Sequence, residues 1–178
     1  MSRAPAGRLP EAMPPASRPD LERLFHAEYG RVVAVARRVL GSDREAEDVA
    51  QDVFIAFNRS AVTTADARGW LLTAAAHTAL NVIRSNSRRA RREVASATPD
   101  QVPDVADEVI RRDRQVQVRE VLSRLPQNQS MVLLLRHSGM SYGEVGAALG
   151  MPASSVGTTL RRAEAAVRKE LENDESRR

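Results

Sequence analysis

Apolar residues recur at helical spacing along most of the chain, and the breaks in that recurrence divide it into segments. From Pro19 onward, Leu21, Phe25, Val32, Val35 and Val39 fall on one face of a long helix that Gly41 ends. Ser42 and Glu45 follow at the spacing of a capping box, in which each side chain satisfies a backbone donor left open by the helix start. The helix they open carries Ala46, Val49, Ala50, Val53 and Phe57 on its apolar face. Arg59 to Asp66 is small and polar and predicts a loop. A third helix runs from about Ala67 past Arg88, with Trp70, Leu71, Ala74, Ala75, Thr78 and Val82 expected to turn inwards.

The pattern then fails. Between Ala95 and Glu108 stand Pro99, Pro103, Asp100, Asp104, Asp107 and Glu108, with few large apolar residues. Such a stretch cannot bury a face and predicts a flexible acidic linker over 95–108. It separates a first domain, 19–94, from a second, 109–172, with a disordered tail over 1–18 and a frayed one over 173–178. Helical periodicity resumes through Val109, Val118, Val121, Leu122 and Leu125 until Pro126 stops it. A short apolar helix with Val132, Leu133 and Leu135 ends at Gly139, and Ser141 with Glu144 repeats the capping-box spacing. Leu149 and Gly150 close that helix, and a last one carries Val156, Leu160, Ala163, Val167 and Leu171. The fold class expected is therefore all-α, two small helical domains joined by the linker.

A short helix, a turn and a second helix within some twenty residues describe a helix-turn-helix. Val145 and Ala147 are expected to pack on Val156 and Leu160, leaving Ser154, Ser155, Thr158, Thr159, Arg161 and Arg162 to face outwards. Hydroxyls and guanidinium groups at a helix start suit contacts to DNA phosphates. A plain helical hairpin is the competing reading.

Two polar stripes lie in the first domain. Thr73, His77, Asn81, Arg84 and Arg88 are spaced by four, four, three and four, which aligns them on one face of the third helix. The stripe holds no acid, unlike an ordinary solvated face that mixes signs, and it ends in a basic cluster with Arg89, Arg91 and Arg92. Its amide, imidazole and guanidinium groups can bond bases, stack on them and pair with phosphates. Glu47, Asp48, Gln51 and Asp52 form an acidic face on the second helix, which reads either as solvated or as a docking surface for a basic protein.

Composition adds mainly exclusions. The chain has 178 residues, a net charge of +4 and 3% aromatic residues, which favours helices and a polyanionic partner. It has no cysteine, and its histidines (His26, His77 and His137) are widely separated, so no metal site is expected. No phosphate loop or nucleophile motif is present, and the acidic face lacks a partnering base, so neither a catalytic residue nor a cofactor is expected. No apolar run approaches the roughly 18 residues that span a bilayer, and the start lacks a secretory core, which predicts a cytoplasmic protein without membrane insertion.

These runs, taken together, resemble the extracytoplasmic-function sigma factors of bacterial RNA polymerase. DREAEDVAQDVFIAF (Asp43 to Phe57) is similar to the region-two helix that docks on the polymerase's largest subunit. WLLTAAAHTALNVIRSNSRR (Trp70 to Arg89) resembles the helix that melts and reads the minus-ten element. The run from Leu125 to Leu171 resembles region four, which reads the minus-thirty-five element. The resemblance implies a non-enzymatic promoter-specificity factor. Its partners would be core polymerase, promoter DNA and, as often in this family, an inhibitory anti-sigma factor. It assigns minus-ten contacts to Thr73, His77, Asn81, Arg84 and Arg88, and minus-thirty-five contacts to Ser154, Ser155, Thr158, Thr159, Arg161 and Arg162. Glu47, Asp48, Gln51 and Asp52 become the docking face. The chain departs from the family pattern at Ala76 and His77 (usually Arg-Asn), at Asn81 (often Asp), and at Gly157 and Thr159 (usually basic). Those departures place the promoter sequence in question. A self-sufficient helix-turn-helix regulator and a sigma-mimicking sequestering protein are the alternatives.

Overall fold

The structure, a computed structural model, describes residues 18–94 and 106–175. All but the last residue of the expected N-terminal tail, most of the expected linker and the last three residues lie outside the described residues. Three helices form the first domain: α1 (Arg18–Leu40), α2 (Asp43–Asn58) and α3 (Ala67–Val94). Four form the second: α4 (Ala106–Arg124), α5 (Gln127–His137), α6 (Tyr142–Leu149) and α7 (Ala153–Glu175). Helix α4 thus starts within the stretch read as linker, and α7 continues into the stretch read as frayed.

The α1–α2 corner follows from Gly41, whose φ of 68° lies in the left-handed region that glycine enters without a Cβ clash. Its N–H donates to Arg37 O at 2.7 Å, closing α1, and the Ser42 hydroxyl accepts from Glu45 N–H at 3.3 Å, opening α2. Ala46, Val49, Ala50, Val53 and Phe57 are all buried, as their spacing predicts, and Phe54 joins them. Phe25 is the exception on α1. It is 37% exposed and leans against Tyr29 and Phe54, with ring centroids 4.5 and 5.0 Å away. The loop before α3 is tied locally: Ser60 Oγ donates to Phe57 O at 2.8 Å, and Thr63 Oγ1 accepts from Asp66 N–H at 3.3 Å.

Helix α3 departs from the expected inward face. Leu71 and Ala75 are buried, but so are Leu72, Ala76, Ala79, Leu80 and Ile83, while Trp70, Ala74, Thr78 and Val82 are only partly covered. The cause is that α3 is packed on two sides. One side meets α1 and α2; the other turns towards α4, α5 and α6 of the second domain. A helix between two layers spreads its small and apolar residues over more than one stripe.

In the second domain, Pro126 sits at the N-cap of α5. Ser130 is wholly buried, and its hydroxyl donates to Leu122 O at 3.2 Å, fixing α5 to the end of α4. The Ser141–Glu144 capping box forms in full: Glu144 N–H donates to Ser141 Oγ at 3.2 Å, and Ser141 N–H donates to Glu144 Oε2 at 2.6 Å. Val145 and Val156 are fully buried, as expected of the helix-turn-helix angle, but Ala147 is exposed. The small residue at the crossing is Gly146 instead, where a Cβ would lie 2.7 Å from the Met151 carbonyl oxygen. Buried residues of both domains belong to one connected apolar cluster.

Candidate nucleic-acid interface

Three surfaces carry the residues singled out from sequence, and the structure exposes them unequally. Glu47, Asp48, Gln51 and Asp52 are all exposed on the side of α2 away from its core face. Ile55 continues that side and is 50% exposed, so the acids border an exposed apolar side chain. Spacing could have flagged it: Ile55 is a large apolar residue off the buried stripe of α2.

The start of α7 presents Ser154, Thr158, Arg161 and Arg162 to solvent, whereas Ser155 and Thr159 are half-buried. The Thr159 hydroxyl donates to Ser155 O at 2.9 Å, which ties its proton to its own helix. Tyr142, missed in the sequence reading, stands beside this helix. A Cβ on Gly157 would lie 3.6 Å from Tyr142 Cε2, and the Arg136 guanidinium carbon sits 4.6 Å from the ring centroid. Arg136 is held there by donating to the Met140 carbonyl. No signal in the sequence joins residues 136, 142 and 157, because only the turn between helices brings them together.

On the α3 stripe His77 and Asn81 are exposed, while Thr73 and Arg84 are half-buried. Thr73 Oγ1 donates to Gly69 O at 2.7 Å, and the Asn81 amide nitrogen lies 3.2 Å from His77 Nδ1. Thr73 and His77 form one wall of a cleft of about 520 Å³ whose other wall includes Gln127, Asn128 and Met131 of α5. Arg84 reaches across to the second domain, where its Nη2 donates to Leu125 O at 3.1 Å. Arg88 is exposed. The five stripe residues therefore share one helix face as predicted, but the second domain stands over part of it.

Glu144, in the first turn of α6, has a shifted titration. The Ser141 backbone N–H and hydroxyl hold its carboxyl below the usual carboxylate range, with a smaller contribution from the positive charge of Arg68 on α3. Among the described residues no cluster of three or more side chains suits a metal ion, and no helix is long and apolar enough to cross a membrane.

Two helical domains that carry an exposed helix-turn-helix, a polar stripe ending in arginines and an acidic face fit the class of DNA-binding proteins. Comparison with known proteins narrows that class. Residues 24–89 match sigma-70 region 2, and residues 115–167 match sigma-70 region 4. SigK of Mycobacterium tuberculosis is 30% identical over 139 residues, 74% of each chain. SigE of Mycolicibacterium smegmatis is 30% identical over 154 residues, and YlaC of Bacillus subtilis is 29% identical over 163. The alignments cover 83% of this chain and 60% of SigE, but 86% and 93% for YlaC. In fold, the chain is similar to CnrH, solved with the cytosolic domain of CnrY (TM-score 0.60, 20% identity, 89% of this chain and 92% of that one). It is also similar to RpoE of Bartonella quintana, solved with the anti-sigma factor NepR (TM-score 0.55, 18% identity, 86% and 97%). The chain belongs to the extracytoplasmic-function RNA polymerase sigma factors.

Proposed function

We propose that the chain binds core RNA polymerase and directs it to a particular set of promoters, without chemistry of its own. The observation that carries this reading is the division of labour between surfaces. An acidic face cannot lie on DNA, whereas α3 offers hydroxyl, imidazole, amide and guanidinium groups and α7 offers hydroxyl and guanidinium groups, each without intervening acids. Helix α2 docks on polymerase through Glu47, Asp48, Gln51 and Asp52, with Ile55 as the apolar centre of the contact. Helix α7 holds the minus-thirty-five duplex with Ser154, Ser155, Thr158, Thr159, Arg161 and Arg162. Helix α3 then captures unpaired minus-ten bases, with Thr73, His77 and Asn81 at the bases and Arg84 and Arg88 on the backbone. Extruding a base costs a few kcal/mol, which such contacts offset. The factor acts in the cytoplasm, where polymerase meets DNA. An anti-sigma factor is a third partner, of the kind seen with RpoE. An apolar groove of about 560 Å³ lined by Val118, Leu122, Leu133 and Val167 lies between α4, α5 and α7.

The test is reconstituted transcription from a library of genomic fragments, with purified core polymerase and this chain. Defined transcript starts that require the chain are expected. Within that assay, Asp48→Lys with Asp52→Lys should weaken polymerase binding by roughly tenfold or more, since tenfold corresponds to about 1.4 kcal/mol. His77→Ala with Asn81→Ala should reduce promoter opening while polymerase affinity holds. Starts that do not depend on the chain would overturn the function. Equal loss of binding and opening in the second variant would overturn the assignment of the stripe.

A further inference from the structure

The outer face of α7 has a gap among its polar side chains. Ser154, Thr158 and Arg161 are exposed there, and Gly157, three residues after Ser154 and four before Arg161, adds no side chain of its own. The Tyr142 ring fills that gap from another helix. A Cβ on Gly157 would meet Tyr142 Cε2 at 3.6 Å, so the ring lies against α7 where a longer side chain at 157 would run. Two contacts fix it. The complete Ser141–Glu144 capping box sets the backbone of Tyr142, the first residue of α6. The Arg136 guanidinium carbon stands 4.6 Å from the ring centroid and covers one face of the ring, and Arg136 is itself tied to the Met140 carbonyl. Tyr142 nevertheless stays 45% exposed, the one large apolar side chain of α5, α6 and α7 left so among the described residues.

An exposed ring among hydroxyls and guanidinium groups suits one particular feature of duplex DNA. The major groove presents hydrogen-bonding groups on every base pair, but its one apolar group is the 5-methyl of thymine. Ser154 and Thr158 bring hydroxyls and Arg161 brings charge, which serve phosphates and polar base edges. The ring adds what they lack, a flat apolar surface of fixed orientation. Because Arg136 and the cap already hold it, it loses little freedom on meeting a partner.

We propose that Tyr142 is a specificity-determining residue of the minus-thirty-five interface. Its ring, carried by α6 but seated on α7, packs against the methyl group of one thymine in the duplex. Arg136 is the positioning residue that holds the ring, and Gly157 leaves the room for it. The recognition surface is therefore built from two helices. The proposal rests on the reading of α7 as the minus-thirty-five contact.

The test uses core polymerase loaded with the full chain and a promoter taken from the genomic-fragment assay. Each thymine of the minus-thirty-five duplex, on either strand, is replaced in turn by uracil, which removes the methyl group and keeps every hydrogen bond. One replacement should weaken binding about fourfold, the worth of one buried methyl group. With Tyr142→Ala the same replacement should have no effect, whereas Tyr142→Phe keeps the ring and should keep the loss. Gly157→Arg, whose side chain must displace the ring, should erase the uracil effect and steepen the salt dependence by about one phosphate contact. Arg136→Gln should shrink the uracil effect in the parent chain and change nothing further in Tyr142→Ala; an equal loss of binding in both backgrounds would leave Arg136 no positioning role. If no thymine distinguishes the parent chain from Tyr142→Ala, the proposal is overturned. Thr158→Ala with Arg162→Ala separates that failure from failure of the underlying reading. Lost minus-thirty-five binding in this variant, with affinity and uracil response intact in Tyr142→Ala, would keep α7 as the contact and remove Tyr142. Normal binding by the α7 variant would remove the minus-thirty-five reading, and the role of Tyr142 with it. A genomic assay that yields no chain-dependent promoter overturns the function and this proposal together.

Discussion

Helices α3 and α7 carry the two candidate DNA faces, and they differ less in chemistry than in surroundings. Both offer short polar side chains followed by arginines. On α7 the exposed set projects from the outer helix of a compact four-helix unit, with solvent in front of Ser154, Thr158, Arg161 and Arg162. On α3 the set lies on a helix flanked by core on one side and by the other domain on the next, so Arg84 is already engaged. A polar stripe in a sequence thus marks a face that needs a polar partner. It does not say whether that partner is water, nucleic acid or another part of the same chain.

The two halves meet at a seam of touching buried residues, and each is expected to unfold independently of the other. The variant pair Leu71→Ala and Leu135→Ala tests this with the largest effect. Each side chain is fully buried, one in each domain, so each truncation should cost about 2–5 kcal/mol. Under native-state hydrogen exchange, Leu135→Ala should release the α5 and α7 amides while α1 and α2 keep their protection, and Leu71→Ala should do the reverse. Equal loss across both halves in either variant would show one cooperative core.

Much of this arrangement was legible in the sequence because it depends on local spacing. Both serine caps, the Gly41 break and the stop at Pro126 are set by residues within a few positions of one another. The apolar face of α2 was equally plain, since that helix packs on one side only. The buried face of α3 was misjudged because its second neighbour is distant in sequence: Trp70, Ala74 and Thr78 look inward by periodicity, yet they line the interdomain cleft. Placing Ala147 at the helix-turn-helix crossing failed for another reason. Periodicity locates a face to within a residue, whereas the close approach of the Met151 carbonyl selects Gly146 alone. The candidate site behaved likewise. Membership of each stripe could be read from the sequence, but its engagement could not, because Leu125 lies 41 positions from Arg84.

Two glycines in the second domain sharpen the contrast between a position fixed by packing and one left free. At Gly146 a methyl group would sit 2.7 Å from a backbone oxygen that cannot move without opening the turn. Gly146→Ala should therefore cost about 1–3 kcal/mol, read as a lowered denaturant midpoint. At Gly157, in the interior of α7 with an ordinary φ, the same methyl group would meet the Tyr142 ring at 3.6 Å, which is normal contact. Gly157→Ala should stabilise by about 0.5–1 kcal/mol, the usual gain on replacing glycine inside a helix. A loss there would mean that α7 needs glycine for its packing.

The smallest expected effect concerns the place where the two halves meet electrostatically. Glu144 caps α6 in the second domain, while Arg68 belongs to α3 in the first, and both lower the carboxyl's affinity for a proton, the Ser141 contacts more strongly. A group whose folded-state pKa is depressed contributes stability that is fully present above its unfolded value. That contribution is lost as pH falls through the unfolded and then the folded value. The chain should accordingly lose a small increment of stability below about pH 4.5, and Glu144→Gln should flatten that part of the profile, because the amide oxygen can still accept from Ser141 N–H but does not titrate. Arg68→Gln separates the two causes. If the Ser141 contacts dominate, this variant keeps most of the acid-side loss, whereas a profile as flat as that of Glu144→Gln would give the larger part to the Arg68 charge.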